Sequence, residues 1–458
     1  MIGFLSEDAF LDHFPPIEIS KSDFCRKFRV TYKNNPTLYD ILNPDNITNK
    51  RSVIKSLDDQ RYVNRDRVVD YFYDVVIVHR HEYLKQFYKS YFRVGDPYRL
   101  KWNNDPLVGR PRPTSPLVKS RRIDGDEIKE FNSPSCSQER RESLLEGWIS
   151  DLERVSIQKN DAARILIRNL NYLDILHTTR ITNTSKCKVS FWQTLINVYN
   201  KLSLEDRFFA PSSIGLYLRE KKGQAINYNN FFYLIQQYQP KASILNPFTI
   251  YWILERYFRG RHLFTPVLSW SSYLMAFFHS NYQTYVGVDV MPDVCRRAEY
   301  LTGYYNSIRP ETERRKVDIW CQPSESLSKS AEFMDKYEGF FDSVLWCPPY
   351  FDMEIYAGED QSISSYPDYD EWLTHYFEAT VRLCHEVTRT GAIVGVIMND
   401  YYTLDGLYYP LINDFNQVLV RHFELIHIVE LVNRTSPLRV NKKNRTEKLF
   451  IYRKGGPP

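Results

Sequence analysis

The chain is poor in glycine. It contains 17 glycines among 458 residues, about half of the ~7% that is usual for globular proteins. Aromatic residues make up 15% of the chain, and 34 of them are tyrosines. A skewed codon supply and a need for base-stacking surfaces both account for such a composition. The composition alone does not separate these two explanations.

Cysteine is also sparse and scattered. The seven cysteines occupy positions 25, 136, 187, 295, 321, 347 and 384, and no two of them form a Cys-x-x-Cys pair. This spacing argues against a zinc cluster or a disulfide framework and favours a reducing compartment. We therefore expect free thiols and no bound metal.

Long hydrophobic runs and a strong charge bias are missing as well. No apolar run reaches 18 residues, so no membrane span is expected. The first residues, MIGFLSEDAFLDHF, carry acidic side chains where a secretory signal needs a basic region. We expect a soluble, intracellular, cytoplasmic protein. The net charge of only +4 does not indicate a nucleic-acid binder, although it leaves room for a local basic face.

The first half of the chain divides into three regions by composition. Residues 1–102 are dense in charged and aromatic residues, and we treat them as an accessory region. Residues 103–136 begin with a proline-rich, basic stretch that is typical of a linker. The alternative is a basic strap on a phosphate backbone. Its candidate contacts are Arg110, Arg112, Lys119, Arg121 and Arg122.

Residues 137–235 are predicted to be mostly helical. The segment SQERRESLLEGWISDLERV places large apolar residues on one face of a helix that starts at Ser137. These residues are Leu144, Leu145, Trp148, Ile149 and Leu152.

From residue 236 the pattern changes to apolar strands separated by helical stretches. This alternation predicts an α/β domain over residues 236–458, with a parallel-rich sheet covered by helices on both faces. The predicted strands are 262–267, 284–290, 316–321, 342–347, 391–398 and 424–431.

Three strand ends carry unusual residues: TPVLSWSS (265–272), Asp289 and CPPY (347–350). Ligands of such sheets bind beyond the carboxyl ends of the strands. The Asp289 carboxylate suits the two hydroxyls of a ribose, but a helix N-cap, provided by Asp289 or Asp293, explains it equally well. Two consecutive prolines after an apolar strand form a rigid corner.

The corner and its neighbours resemble the amino-methyltransferases that use S-adenosylmethionine to modify N6 of adenine or N4 of cytosine in DNA. The signature of that family is a small polar residue, Pro-Pro and an aromatic residue, which CPPY fits. FDMEIYAGEDQSISSYPDYDEWL (351–373), KASILNPFTIYWILERY (241–257) and RTEKLFIYRKG (445–455) are similar to a phage and bacterial subfamily. The resemblance covers about residues 240–455.

The resemblance implies a Rossmann-like methyltransferase sheet in the C-terminal half, behind a mostly helical N-terminal region. It implies methyl transfer from S-adenosylmethionine to the exocyclic amine of a base that has left the DNA duplex, as in restriction-modification systems. The Cys347 side chain and the Pro348 carbonyl would accept hydrogen bonds from the amine, Pro349 would stiffen the corner, and Tyr350 would stack on the base. The viral or phage origin and a protein partner or dimer are further expectations.

The cofactor loop departs from the family pattern Asp-Pro-x-Ala-Gly-Trp-Gly-Gly. Pro266 and Trp270 keep their places, Thr265 replaces the acid, and serines replace all three glycines. The expected cofactor contacts are Thr265, Pro266, Ser269, Trp270, Ser271, Asp289 and, after the third strand, Ser324 and Glu325. Since these changes weaken cofactor binding, the alternative is an inactive pseudo-methyltransferase that serves as a DNA-binding or scaffold subunit.

Overall fold

The computed structural model of the protein describes residues 123–150, 244–307, 309–356, 361–402, 406–432 and 446–455, with short stretches between 152 and 189. The accessory region 1–102 and the basic arm from Arg110 to Arg122 lie outside these residues. All statements below refer to the described part of the chain.

An eight-stranded sheet forms the centre of the molecule. Its strands are β1 Arg154–Val155, β4 His262–Thr265, β5 Thr284–Asp289, β6 Lys316–Cys321, β7 Phe341–Trp346, β9 Thr388–Met398, β12 Glu424–Val432 and β13 Thr446–Arg453. Two small sheets contain β2 Thr179–Thr182, β3 Ser185–Val189 and β8 Glu354–Ile355, and β10 Tyr401–Tyr402 and β11 Tyr408–Tyr409.

Helices cover both faces of the large sheet. They are α1 Gly125–Asn132, α2 Gln138–Ser150, α3 Pro247–Tyr257, α4 Ser272–His279, α5 Pro292–Ser307, α6 Ala331–Tyr337, α7 Ser362–Ser365, α8 Tyr369–Trp372, α9 Ala379–Val387 and α10 Leu411–Leu419. A π-helical turn, Leu373–Glu378, joins α8 to α9. One buried cluster, with α3, α4 and α5, fills one face, and a second, with α6, α9 and α10, fills the other.

The strand order is β1-β12-β13-β9-β7-β4-β5-β6. Strands β4, β5, β6, β7 and β9 run parallel, and β13 is antiparallel to both of its neighbours. The chain starts the parallel core at β4, builds outward through β5 and β6, and returns to the other side of β4 with β7. The predicted α/β fold with a Rossmann-like methyltransferase sheet in the C-terminal half is confirmed. Such sheets bind ligands at the point where the strand order reverses, which here lies between β4 and β7.

All six predicted strands of this domain are present. β4 ends at Thr265, earlier than expected, because Pro266 has no amide hydrogen to donate to a neighbouring strand. The segment 445–455, which resembles the family's closing strand, forms β13.

The region before residue 236 is less purely helical than predicted. β2 and β3 form a hairpin between residues 179 and 189, and β2 also pairs with β8 beyond the CPPY corner. The β-branched residues of TRIT explain the extended conformation, which the helical prediction overlooked.

The end of the predicted linker is ordered. α1 lies within 103–136, begins at the N-cap Asp124 and buries Phe131. Asn132 then acts as a substitute strand residue: its side chain donates to the Leu425 carbonyl (3.0 Å) and accepts from the Leu425 amide (2.9 Å). The division into four domains stays a prediction. Residues 125–132, however, pack against the sheet beside β12.

Among the described residues, no helix combines the length and the apolar character needed to cross a bilayer. The same residues contain no group of three or more His, Cys, Asp or Glu side chains that could hold a metal ion.

Candidate active site

The loop after β4 adopts a strained backbone. Ser269, Trp270 and Ser271 have φ angles of 46°, 60° and 71°. These angles lie in the left-handed region, which residues other than glycine rarely enter. Each such residue costs about 1–3 kcal/mol. Two of the three stand where the resembling family has glycine. Ser269 and Ser271 therefore adopt a left-handed conformation that glycine normally permits.

Buried contacts hold this loop in place. The Trp270 ring is 5% exposed and meets the Tyr356 ring edge-on at 5.7 Å between centroids. The Trp270 carbonyl accepts a hydrogen bond from the Asn171 side chain. The Ser271 hydroxyl is buried and has no hydrogen-bond partner among the described residues. Since buried polar atoms are normally paired, this hydroxyl is a candidate contact for a ligand or for a water molecule.

Thr265, which replaces the family's acid, is also buried. Its hydroxyl lies 2.6 Å from the Tyr285 hydroxyl, and this neutral pair stands at the carboxyl end of β4. Gly287 leaves the room for it, because a Cβ atom there would lie 2.4 Å from Leu268 Cδ2 and 2.8 Å from Tyr285 Oη. The position thus holds hydroxyl groups in place of a charge.

Asp289 lies at the end of β5, beside the loop. Its carboxylate accepts a hydrogen bond from the Met291 amide at 3.1 Å. Burial raises the pKa of Asp289 to about 6, against the opposing effect of amide hydrogen bonds from Met291, Leu268 and Val290. Because α5 begins only at Pro292, Asp289 stands before the capping position, and its contact with the Leu268 amide connects it to the loop.

Ser324 and Glu325 begin a 3₁₀ turn after β6. The Ser324 hydroxyl is buried and lies 3.2 Å from the Thr380 hydroxyl of α9. Glu325 is partly exposed, and burial raises the pKa of its carboxyl. Ser324 therefore has a structural contact, whereas Glu325 is the member of the pair that is available to a ligand.

The CPPY corner directly follows β7. Cys347 Sγ lies 3.9 Å from the Pro348 carbonyl oxygen and 3.9 Å from the Tyr350 hydroxyl. Burial, helped by the negative charge of Glu447, raises the pKa of the Cys347 thiol, so the thiol is protonated at neutral pH. A carbonyl, a neutral thiol and an aromatic ring thus converge at the sheet edge.

Aromatic residues support this corner from behind. Phe351 has a φ of 36°, and its ring packs edge-on against Tyr369 and Trp372 at 5.4 and 5.6 Å. The Tyr350 ring lies nearly parallel to the Tyr401 ring, with an interplanar angle of 17° and centroids 6.5 Å apart. Phe351, which has a positive φ like the three residues of the loop after β4, is thus held by a rigid aromatic cluster.

Tyr376 is a site residue that the sequence did not reveal. It lies in the π-helical turn 373–378, and its buried hydroxyl has no partner among the described residues. Burial raises the pKa of Tyr376, and the negative charges of Glu325 and Asp289 add to this effect. Tyr376 is therefore a candidate for the site beyond β5 and β6. No motif marks Tyr376, because a π-turn shifts side chains out of the ordinary helical register.

Comparisons with known proteins give only distant likenesses. No model of a protein family matches the chain, and neither does any curated protein. The N-methyltransferase NodS from Bradyrhizobium japonicum WM9, in complex with S-adenosyl-L-homocysteine, is 9% identical over 45% of this chain and 85% of that chain, with a TM-score of 0.30. A methyltransferase from Pyrococcus furiosus is 15% identical over 48% and 87%, also with 0.30.

A proposed DNA modification methylase from Thermus thermophilus is 16% identical over 30% of this chain, with a TM-score of 0.22. The match spans about half of that protein, 52% of its length. The Rossmann-like fold follows from the strand order itself, and these likenesses add no argument about substrate, cofactor or site residues.

The strain in the loop can be measured with a matched pair of substitutions. Ser271 has a φ of 71°, whereas Ser272 has a φ of −64°, and both hydroxyls are buried without a partner among the described residues. We expect Ser271→Gly to give a free energy of unfolding about 1 kcal/mol above that of Ser272→Gly, because only the first relieves a left-handed backbone. Denaturant unfolding of both variants measures the difference, and equal stabilities would contradict the strained conformation.

Proposed function

We propose that the protein is an S-adenosylmethionine-dependent methyltransferase that modifies the exocyclic amine of a DNA base, N6 of adenine or N4 of cytosine. The observation that carries the proposal is the left-handed course of Ser269, Trp270 and Ser271. Strain of this size persists where function requires the geometry. A chain that needed only the fold would gain stability from a relaxed backbone at these positions.

The residues around the loop fit the cofactor. The Asp289 carboxylate offers two acceptors for the ribose hydroxyls. Glu325 would lie next to the adenine, and the hydroxyls of Ser271 and Tyr376, unpaired among the described residues, would offer further polar contacts. When bound, the cofactor supplies an electrophilic methyl group on a sulfonium. Thr265 contributes no charge to hold the cofactor's ammonium group, so we expect weak binding.

The CPPY corner fits an amine on a planar ring. The amine's lone pair is delocalised into the base, so it needs acceptors that draw its N–H groups out of the plane. The Pro348 carbonyl is a strong acceptor on a rigid backbone, and the Cys347 sulfur is a weak one. Since the Cys347 thiol is protonated, it does not act as a nucleophile. The corner therefore positions the amine and forms no covalent bond to the base.

Tyr350 and Tyr401 supply the surface that a base requires outside the duplex. A base that leaves the helix loses stacking worth a few kcal/mol, and aromatic side chains replace it. Tyr401 is fixed by a hydrogen bond from its hydroxyl to Asp352 (2.9 Å), and the Phe351 cluster stiffens the chain between them. These contacts favour a nucleic-acid base over an aliphatic amine as the substrate.

Calorimetric titration with S-adenosylmethionine, followed by incubation with the labelled cofactor and mixed-sequence duplex DNA, tests the proposal. We expect heat of binding, and N6-methyladenine or N4-methylcytosine among the nucleosides of the digested DNA. A folded protein that releases no heat at millimolar cofactor would refute the enzyme. DNA binding by that protein would then support the inactive scaffold.

The binding should also depend on pH through Asp289. Its carboxyl is ionised only above a pKa of about 6, and the ionised form accepts both ribose hydroxyls. We expect the affinity for S-adenosylmethionine to rise about tenfold between pH 5 and pH 7, measured by the same calorimetry. Asp289→Asn, which cannot ionise, should bind weakly and show no such rise; an equal rise in this variant would assign the titration to another group.

The raised pKa of Asp289 has the opposite effect on the stability of the cofactor-free protein, which falls as the pH rises. Because the folded-state pKa lies above the ordinary value of 3.8, the carboxyl stabilises the cofactor-free protein below about pH 4, and this contribution is lost as the pH rises through 6.

A further inference from the structure

A segment far from the sheet in sequence touches the cofactor loop. The amides of Asn171, Ile175 and Thr178 donate to the carbonyls four residues earlier, which is the pattern of an α-helix. Ile167, Leu170 and Ile175 are buried in the same cluster as Trp270. We call the described residues of 167–178 the brace.

Asn171 connects the brace to the strained loop. It is fully buried, and its side-chain amide donates to the Trp270 carbonyl at 3.0 Å and to the Ile167 carbonyl at 3.2 Å. Trp270 is the middle one of the three left-handed residues. The bond therefore fixes the orientation of the peptide group at the centre of the strained turn, where glycine would have made the orientation easy to reach.

A second contact ties the brace to the other side of the cofactor space. Asp174 forms an ion pair with Arg297 of α5, and the two side chains are only 13% and 12% exposed. α5 follows Asp289 in the chain, and the negative charge of Asp174 contributes to the raised pKa of Asp289. The brace thus contacts the loop after β4 and the helix after β5.

We propose that Asn171 is a positioning residue for cofactor binding and that the brace replaces, by contacts, the backbone freedom that the loop lost with its glycines. A loop without glycine keeps a left-handed course only when its surroundings enforce it, and Asn171 contributes a buried, directional contact to that course. The brace is on this basis part of the cofactor site. This inference rests on the proposed function.

Asn416 provides a matched control for Asn171. It is 1% exposed, and its side-chain amide also donates to the carbonyl four residues earlier, that of Ile412. Its other partners are the Tyr452 hydroxyl and the Met398 sulfur, and both of these residues belong to the buried cluster on the other face of the sheet from Trp270. Alanine at either position removes a buried amide from a helix, but only Asn171→Ala releases the loop.

Three measurements on the full chain test the brace. Hydrogen exchange without ligand should speed up about tenfold or more in the peptide 265–275 of Asn171→Ala and stay unchanged there in Asn416→Ala. Calorimetry should show affinity for S-adenosylmethionine reduced about tenfold, equal to about 1.4 kcal/mol, in Asn171→Ala alone. In turnover, the KM for the cofactor should rise while kcat changes little.

The exchange result separates this inference from the proposed function. If the wild-type protein binds no S-adenosylmethionine, the proposed function fails, yet exchange of the loop still decides whether the brace holds it. Unchanged exchange in Asn171→Ala overturns the brace. Should that variant not fold, Asp174→Asn loosens the brace at its α5 end, and unchanged loop exchange in this variant would overturn the proposal equally.

Discussion

Replacing Tyr350 by alanine is expected to reduce methyl transfer to DNA about a hundredfold while the affinity for S-adenosylmethionine stays the same. A stacked base loses about 1–3 kcal/mol with its aromatic partner, and an amine displaced by about 1 Å loses a similar factor through misalignment. Tyr350 lies at the CPPY corner and stacks on Tyr401, whereas the proposed cofactor contacts lie on the loop, β5 and β6. Transfer of a labelled methyl group measures kcat/KM, and calorimetry measures cofactor affinity.

Two controls define this result. Tyr350→Phe keeps the ring and removes only the hydroxyl, so it should retain most of the activity. Tyr300→Ala removes a tyrosine of α5 that is 41% exposed, and it should behave like the wild type. Full activity of Tyr350→Ala would remove the corner from the mechanism, and loss of cofactor binding in it would show that the two halves of the site are not separate.

Restoring an acid at position 265 should tighten cofactor binding about tenfold to a hundredfold. A hydrogen bond to a charged group contributes about 1.5–3 kcal/mol, and Thr265→Asp would place a carboxylate where the resembling family has one. Tyr285, whose hydroxyl now lies 2.6 Å from Thr265, would donate to it. Thr265→Asn has nearly the same shape without the charge, so it should show little gain. Calorimetry of the three proteins measures the effect.

The same substitution should make the cofactor-free protein less stable. A buried carboxylate without a cation destabilises the fold, so the free energy of unfolding of Thr265→Asp should fall without cofactor and recover when the cofactor is added. Equal tightening by Thr265→Asn, or no tightening in a folded Thr265→Asp, would show that the ammonium group does not reach this position.

The centre of the sheet could be predicted because its strands are buried on both faces. All six residues of β7 are buried, as is most of the second half of β9, and the near-continuous apolar runs DSVLW and GAIVGVIM mark these strands in the sequence. The hairpin at 179–189 was missed because its strands are short and polar, so no hydrophobic periodicity marks them.

The site could be predicted only where a motif carries it. CPPY, Asp289 and the loop stand at strand ends, which the topology brings to one edge. Asn171 and Trp270 lie 99 residues apart in the chain, and a single buried hydrogen bond over that distance leaves no pattern to find. The serines of the loop predicted weaker cofactor binding but gave no sign of the left-handed conformation that they adopt, because sequence shows the preference of a residue and not the contacts that override it.

The edge of the sheet limits how the protein can be shortened. β1 pairs with β12, and Asn132 bonds to the Leu425 backbone farther along the same strand. A fragment beginning at residue 236 would lose both and would expose the backbone of β12, a nine-residue strand that contains the apolar residues of ELIHIVELV. An uncovered strand of this kind pairs with copies of itself. Aggregation of such a fragment would therefore reflect a missing neighbour, and the C-terminal half should be produced together with residues 123–155.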